Sequence, residues 1–276
     1  MYKYHNEHTI HVKSLSIGVT DLTRSIKYYQ SLLNFDVINQ TEDQVILGYE
    51  TRPILTLIKV KNTTIGLKAG LYHMAFLLPS ANHLGSWFKH QLEISTKFTG
   101  ASDHEVSQAF YLSDPDGNGI EVYHDRDDSL WKWHNGSVNM VTIELDLEAL
   151  LNQATLNWEE ATKNIILGHM HLSTKDLKKT QSFYEALGFN TVLDYSSAEF
   201  LSDQQYHHHI GMNEWNMRMA KDYVENDTNI HSMDLYYPNQ LKLDEAINRL
   251  NELGIVVNQS MVKDPIGITL NLLIQP

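Results

Sequence analysis

The chain has 276 residues, 42% of them hydrophobic, no cysteine, and a formal net charge of -13 at pH 7 with histidine neutral. That length allows two ordinary domains or one large one with a real core, while the missing thiols exclude disulfides, thiolate ligands and cysteine nucleophiles and leave His, Asp, Glu and Tyr to carry chemistry. The negative charge repels phosphate backbones and argues against a nucleic-acid partner; no apolar stretch approaches the roughly 20 residues that cross a bilayer, so no membrane span is expected.

The opening residues, MYKYHNEHTIHVK, are polar and lack the apolar centre of a secretory signal, which predicts a cytoplasmic protein. The next segment, VKSLSIGVTDLTRSIKYYQSLLNF, alternates as a strand and then runs into Asp21-Leu22, with the aromatic pair Tyr28-Tyr29 further on. Asp ahead of an apolar stripe of period 3.6 is a helix N-cap, so this unit reads strand, capped helix, turn near Asn34, then further strands. LYHMAFLLPSANHLGSWFKHQ follows as strand, breaker at Pro79 and helix, leading to YLSDPDGNGIEVY. Its Asp-Pro-Asp-Gly-Asn-Gly run is a strong turn signal, because Pro fixes φ at one corner and Gly permits the positive φ after it.

Residues 126–164 read as a connector with a short strand around Val138 to Leu145 and a helix around Leu147 to Gln153. Beyond it, LGHMHLSTKDLKKTQSFYEALGF echoes the first unit, with Asp176-Leu177 and Phe183-Tyr184 at the same separation and a turn at Gly188. IHSMDLYYPNQLKLDEAINRLNELGI, leading to KDPIGITLNLLI, echoes the second, with Pro238 as breaker. The spacing predicts four βαβββ modules at about 10–63, 68–125, 165–214 and 229–276, organised as an N-terminal pair (1–125), the connector (126–164) and a C-terminal pair (165–276).

One such module is a curved sheet with an open concave face, so modules must pair and share a cup. The module order, the DPDGNGIE turn and the LGH strand resemble, over nearly the whole chain, the vicinal oxygen chelate superfamily of glyoxalases, bleomycin resistance proteins and extradiol dioxygenases. The nearest likeness is to bacterial catechol 2,3-dioxygenase-like proteins. The resemblance implies an α+β fold with modules paired into two curved mixed-sheet half-barrels. It implies an oxidoreductase: a metal-dependent extradiol dioxygenase that cleaves a small catechol-type aromatic with dioxygen. The alternatives on the same fold are a glyoxalase-like isomerase or lyase and a non-catalytic small-molecule-binding protein; a homodimer is among the forms the resemblance allows.

In that superfamily ligands occupy one position on a module's first strand and one on its last. Those positions here hold Ser14, His73, His169 and Ser232, then Glu121 and Asn271. His73, Glu121 and His169 would form the two-imidazole, one-carboxylate set that suits Fe(II), although Mn, Ni or Zn would also be accepted by such donors. Ser14, Ser232 and Asn271 could hold almost nothing. Pairing module two with three, and one with four, assembles one complete set and leaves the other cup vacant, so that pairing is predicted, within one chain or across a dimer. His171 and His231 are the nearest competitors, the latter one residue out of register and therefore on the other strand face.

The resemblance further implies that Tyr111, ten residues ahead of Glu121, lies beside the substrate, and that an acid/base histidine sits in YHHHIGMNEW. Register favours His208, with His209 as the alternative; one of them could instead be a fourth ligand, and the triplet could also be a solvated edge. His104 is expected near substrate or oxygen, or as a loop cap. Among Trp131, Trp133, Trp158 and Trp215, only Trp215 follows the histidine segment closely enough to be expected at a pocket.

Overall fold

The computed structural model describes residues 2–61, 63–64 and 66–275, so the outer limits of the two predicted halves, 1 and 276, lie outside the described residues. The first module comprises β1 (His11–Val19), α1 (Leu22–Leu33), β2 (Asp36–Gln40), β3 (Gln44–Tyr49) and β4 (Arg52–Lys59); the second, β5 (Gly70–Leu78), α2 (Ala81–Glu93), β6 (Gly100–Asp103), β7 (Ser107–Ser113) and β8 (Gly119–Asp125). The connector carries a small hairpin, β9 (Trp133–His134) and β10 (Ser137–Val138), and the short helices α3 (Leu147–Leu151) and α4 (Trp158–Ala161). The third module has β11 (Ile166–Ser173), α5 (Leu177–Ala186), β12 (Asn190–Tyr195), β13 (Ala198–Ser202) and β14 (Ile210–Asn213); the fourth has β15 (Ile230–Tyr237), α6 (Gln240–Glu252), β16 (Met261–Lys263) and β17 (Thr269–Ile274).

The caps form where the sequence puts them. Asp21 accepts from Arg24 N and Asp176 from Lys179 N, each tying down a free N–H of the first helical turn. Asn34 closes α1 in the left-handed region at φ 56°.

Two curved mixed sheets result, of seven and eight strands. The first runs β16-β17-β15-β1-β4-β3-β2 and so joins module four to module one; the second runs β12-β13-β14-β11-β5-β8-β7-β6 and joins module three to module two. Modules two and three therefore share one sheet within a single chain, through the antiparallel β5–β11 seam. One apolar core takes side chains from both sheets and their helices, including Ile17, Leu55, Phe76, Trp87 and Phe183. Trp87 Nε1 on α2 donates to Leu32 O on α1 (2.7 Å), which locks neighbouring helices together.

Two details depart from expectation. Module four is βαββ among the described residues: Asn258 meets Met261 in a single bridge across Gln259 and Ser260, both at positive φ, so the chain reverses before another strand can pair. The connector's strand stops at Val138; instead of extending to Leu145, the segment bonds to the edge of β6, with Asp103 N donating to Ile143 O and Ile143 N to Asp103 O, both at 3.0 Å.

Candidate metal centre

Three adjacent strands bring the candidate ligands together. On the β5–β11 seam His73 stands opposite His171, and Ala75 opposite His169; Ala75 is also level with Glu121 on the parallel β5–β8 pair. Because side chains alternate along a strand, His73, Glu121, His169 and His171 all face the same concave surface. Gly168 supports this arrangement. It is the extra residue of a β-bulge between Leu167 and His169, which lets Leu167 turn to the core while His169 faces the cup. A Cβ at Gly168 would lie 2.0 Å from Tyr123 Oη and 2.8 Å from Leu77 Cβ, so side chains from β8 and β5 fill the space that glycine leaves at the bulge.

His73 Nε2 lies 3.0 Å and His169 Nε2 3.2 Å from the same oxygen, Glu121 Oε2. One ligand atom from each residue falls within 4.8 Å of the others, and all three residues are buried. Burial drives His169 down to about 4, against the pull of Glu121, so the imidazole is neutral at pH 7. Burial pushes Glu121 up, yet His169 and His73 beside it outweigh this and hold its carboxyl well below the usual carboxylate range. A carboxylate beside a neutral imidazole is the protonation state that metal binding requires. His73 Nε2 is buried and makes no hydrogen bond of ordinary geometry, although it lies 3.0 Å from Glu121 Oε2. Such an orphan is costly unless something else fills its coordination, and a divalent cation between the three donors would do so. The residues fit a metal.

The cup encloses about 670 Å³, with Tyr72, Tyr195, Phe200 and Trp215 among its walls. Tyr111 on β7 stands level with Glu121 and reaches this space. Burial raises its phenol well above the usual value, so it remains neutral. Its hydroxyl is 2.7 Å from His104 Nε2, and His104 Nδ1 is 2.6 Å from Val141 O. A carbonyl can only accept, so His104 carries a proton on Nδ1, which leaves Nε2 to accept from Tyr111. The displaced connector thus supplies the carbonyl that orients His104.

His208 also lines the cup, its ring 4.1 Å from that of His169, and burial holds it well below the ordinary histidine value. It precedes β14 in irregular backbone rather than lying on the strand itself. His209 turns away. Its Nδ1 accepts from Asp203 N (3.2 Å) and its Nε2 donates to Tyr4 O (2.9 Å), which places it in the packing between the N-terminal segment and β13, outside the cup. His171 was a competitor in sequence but is a wall of the cup, with Asn213 Nδ2 donating to its Nε2 (2.9 Å). His231 is spent on Asp227 O (2.9 Å). Trp215 stands at the mouth, 40% exposed, whereas Trp131 is buried against Tyr4 and Trp158 stacks on His90.

In the other sheet, Ser14 and Asn271 both donate to Asp234 (2.5 and 2.7 Å), and Ser16 bonds Ser232 (2.7 Å). That face closes on its own polar network. Sequence reasoning missed two participants near the first cup: Asp125 at the end of β8, and His207, which contacts it.

The model of the glyoxalase/bleomycin resistance protein/dioxygenase superfamily matches residues 10–122. A catechol-2,3-dioxygenase of Bacillus subtilis (strain 168) is 36% identical over 270 residues, spanning 93% of this chain and 94% of that protein. Among solved structures, a presumed dioxygenase from Bacillus subtilis subsp. subtilis str. 168 matches with a TM-score of 0.64 at 11% identity, covering 98% of this chain and 87% of that one. Glyoxalase I from Zea mays matches with a TM-score of 0.58 at 15% identity, covering 96% and 92%. These two likenesses are of fold.

Proposed function

The chain belongs to the glyoxalase/bleomycin resistance protein/dioxygenase superfamily, and from that premise we propose that it is a metal-dependent extradiol dioxygenase, an oxidoreductase that opens a catechol-type ring with dioxygen. The observation that carries the reading is the convergence of His73 Nε2 and His169 Nε2 on one oxygen of Glu121, with the His73 nitrogen buried and unbonded. Fe(II) held there would supply Lewis-acid polarisation of the substrate oxygens and a redox partner for dioxygen.

The protein's own residues do the rest. His73, Glu121 and His169 would hold the metal from one wall of the cup and leave its open side to ligands. A volume of about 670 Å³ suits a single-ring compound with its coreactant, and the aromatic walls would grip the ring faces. Tyr111, with its proton committed to His104, presents phenol lone pairs to a substrate hydroxyl. His208, neutral at pH 7, takes the substrate proton and returns it later.

Anaerobic loading with iron, then catechol and air, should give a yellow ring-fission product. Tight iron retention without colour would replace the dioxygenase by another metalloenzyme of this superfamily. A chain that binds no stoichiometric metal overturns the reading.

A further inference from the structure

Behind His208 lies a chain of hydrogen bonds whose directions are fixed by chemistry. His207 Nε2 is 2.8 Å from Asp125 Oδ1, and His207 Nδ1 is 2.8 Å from His208 Nδ1. Asp125 also accepts from Tyr206 OH (3.2 Å), which pairs with Tyr123 OH (2.8 Å), while the adjacent Arg126 is engaged by Asp103. His207 is fully buried under Tyr206 and Trp131.

A carboxylate only accepts, so His207 carries a proton on Nε2. With the ring's N–H committed to Asp125, His207 Nδ1 is left to accept, and the hydrogen between the two facing Nδ1 atoms belongs to His208. What remains on His208 is an unprotonated Nε2 on a ring that lines the cup. We infer that Asp125 and His207 are positioning residues that lock His208 in the Nδ1–H tautomer, leaving its Nε2 lone pair free in the cup to receive a proton. This rests on the dioxygenase reading only for the identity of the proton donor, a catechol hydroxyl. When that proton moves, the O–H bond breaks, an N–H bond forms at Nε2, and the electron pair stays on the substrate oxygen. The new imidazolium keeps its Nδ1–H bond to His207, whose partner Asp125 stabilises the charge from behind, as the orienting carboxylate does in a nucleophile–histidine–carboxylate triad.

The test does not need activity. In the full chain labelled with 15N-histidine and freed of paramagnetic ions, two-bond proton–nitrogen correlations report each neutral ring's tautomer. His208 should appear as Nδ1–H. His207→Phe removes the acceptor and should switch His208 to the commoner Nε2–H form. His207→Asn, whose amide oxygen falls near the lost Nδ1, should restore Nδ1–H. His209 should stay Nε2–H throughout and serves as an internal check on folding, because its Nδ1 accepts from Asp203 N. In the iron-loaded enzyme His207→Phe should lower kcat about 100-fold with KM little changed, and His207→Asn should recover most of the loss. Wild-type His208 in the Nε2–H form overturns the inference, as does a His208 tautomer indifferent to His207→Phe. A protein with no ring cleavage but with His208 as Nδ1–H would sink the dioxygenase reading and uphold the tautomer lock.

Discussion

Replacing His73, Glu121 or His169 by alanine should each remove stoichiometric metal, a larger effect than the roughly 10- to 100-fold loss of affinity typical when an outer partner is deleted. Asn271→Ala, in the other sheet, should leave occupancy unchanged, because its amide serves Asp234. Element analysis of the purified variants decides this; loss of metal in the Asn271 variant would reassign the centre. Tyr111→Phe should keep the metal yet lower turnover by about 100-fold, since it deletes the hydroxyl between His104 and the cup. These residues were legible in the sequence because they sit on regular strands beside a repeated turn, where two-residue alternation fixes the facing side. His207 and Asp125 were not. Their contact spans 82 positions and depends on the irregular path of 203–209 into β14, which no periodicity describes.

At the level of elements, the twin aromatic pairs mark how helices dock. Tyr29 on α1 donates to Asp114 (3.0 Å) in the turn before β8, and Tyr184 on α5 donates to Asp264 (3.1 Å) in the turn before β17. Each aspartate also accepts backbone N–H groups of its own turn, so one carboxylate both shapes the reversal and anchors a helix from the preceding module. The repeat was readable, but its partner was not, because a helix stripe shows that a tyrosine is buried without showing what its hydroxyl meets. Tyr29→Phe and Tyr184→Phe should each cost about 1.5–3 kcal/mol, the range for a hydrogen bond to a charged group. Urea denaturation would measure this; two variants indistinguishable from the wild type would mean that the hydroxyls find water equally well.

For the molecule as a whole, the uneven distribution of histidine settled which modules share a sheet, since only modules two and three together assemble a complete donor set, and the β5–β11 seam joins them. The sequence was silent on the N-terminal segment, whose polar residues fold over the closed end of the cup: Tyr2 donates to Leu77 O (3.1 Å), and Tyr4 packs on Trp131 and Tyr206. The segment buries imidazoles in a place that will not take their charge. Burial drives His11 down to about 4 and His209 to about 3, from an ordinary 6.5. Between those values and 6.5 the unfolded chain binds protons that the folded chain refuses, so stability is full above about pH 6.5 and drains as pH falls. From pH 7 to 5 each residue should cost roughly 2 kcal/mol. Asp264 works the other way, because burial pushes its carboxyl up to about 6, and its protonation below that returns about 1 kcal/mol over the same interval. These three groups together lose roughly 3 kcal/mol, a large part of an ordinary stability of about 5–15 kcal/mol. The urea midpoint should therefore fall steadily from pH 7 to pH 5, above the range where ordinary exposed carboxylates titrate. A midpoint constant across that interval would show that the folded chain can protonate these rings without opening the N-terminal segment.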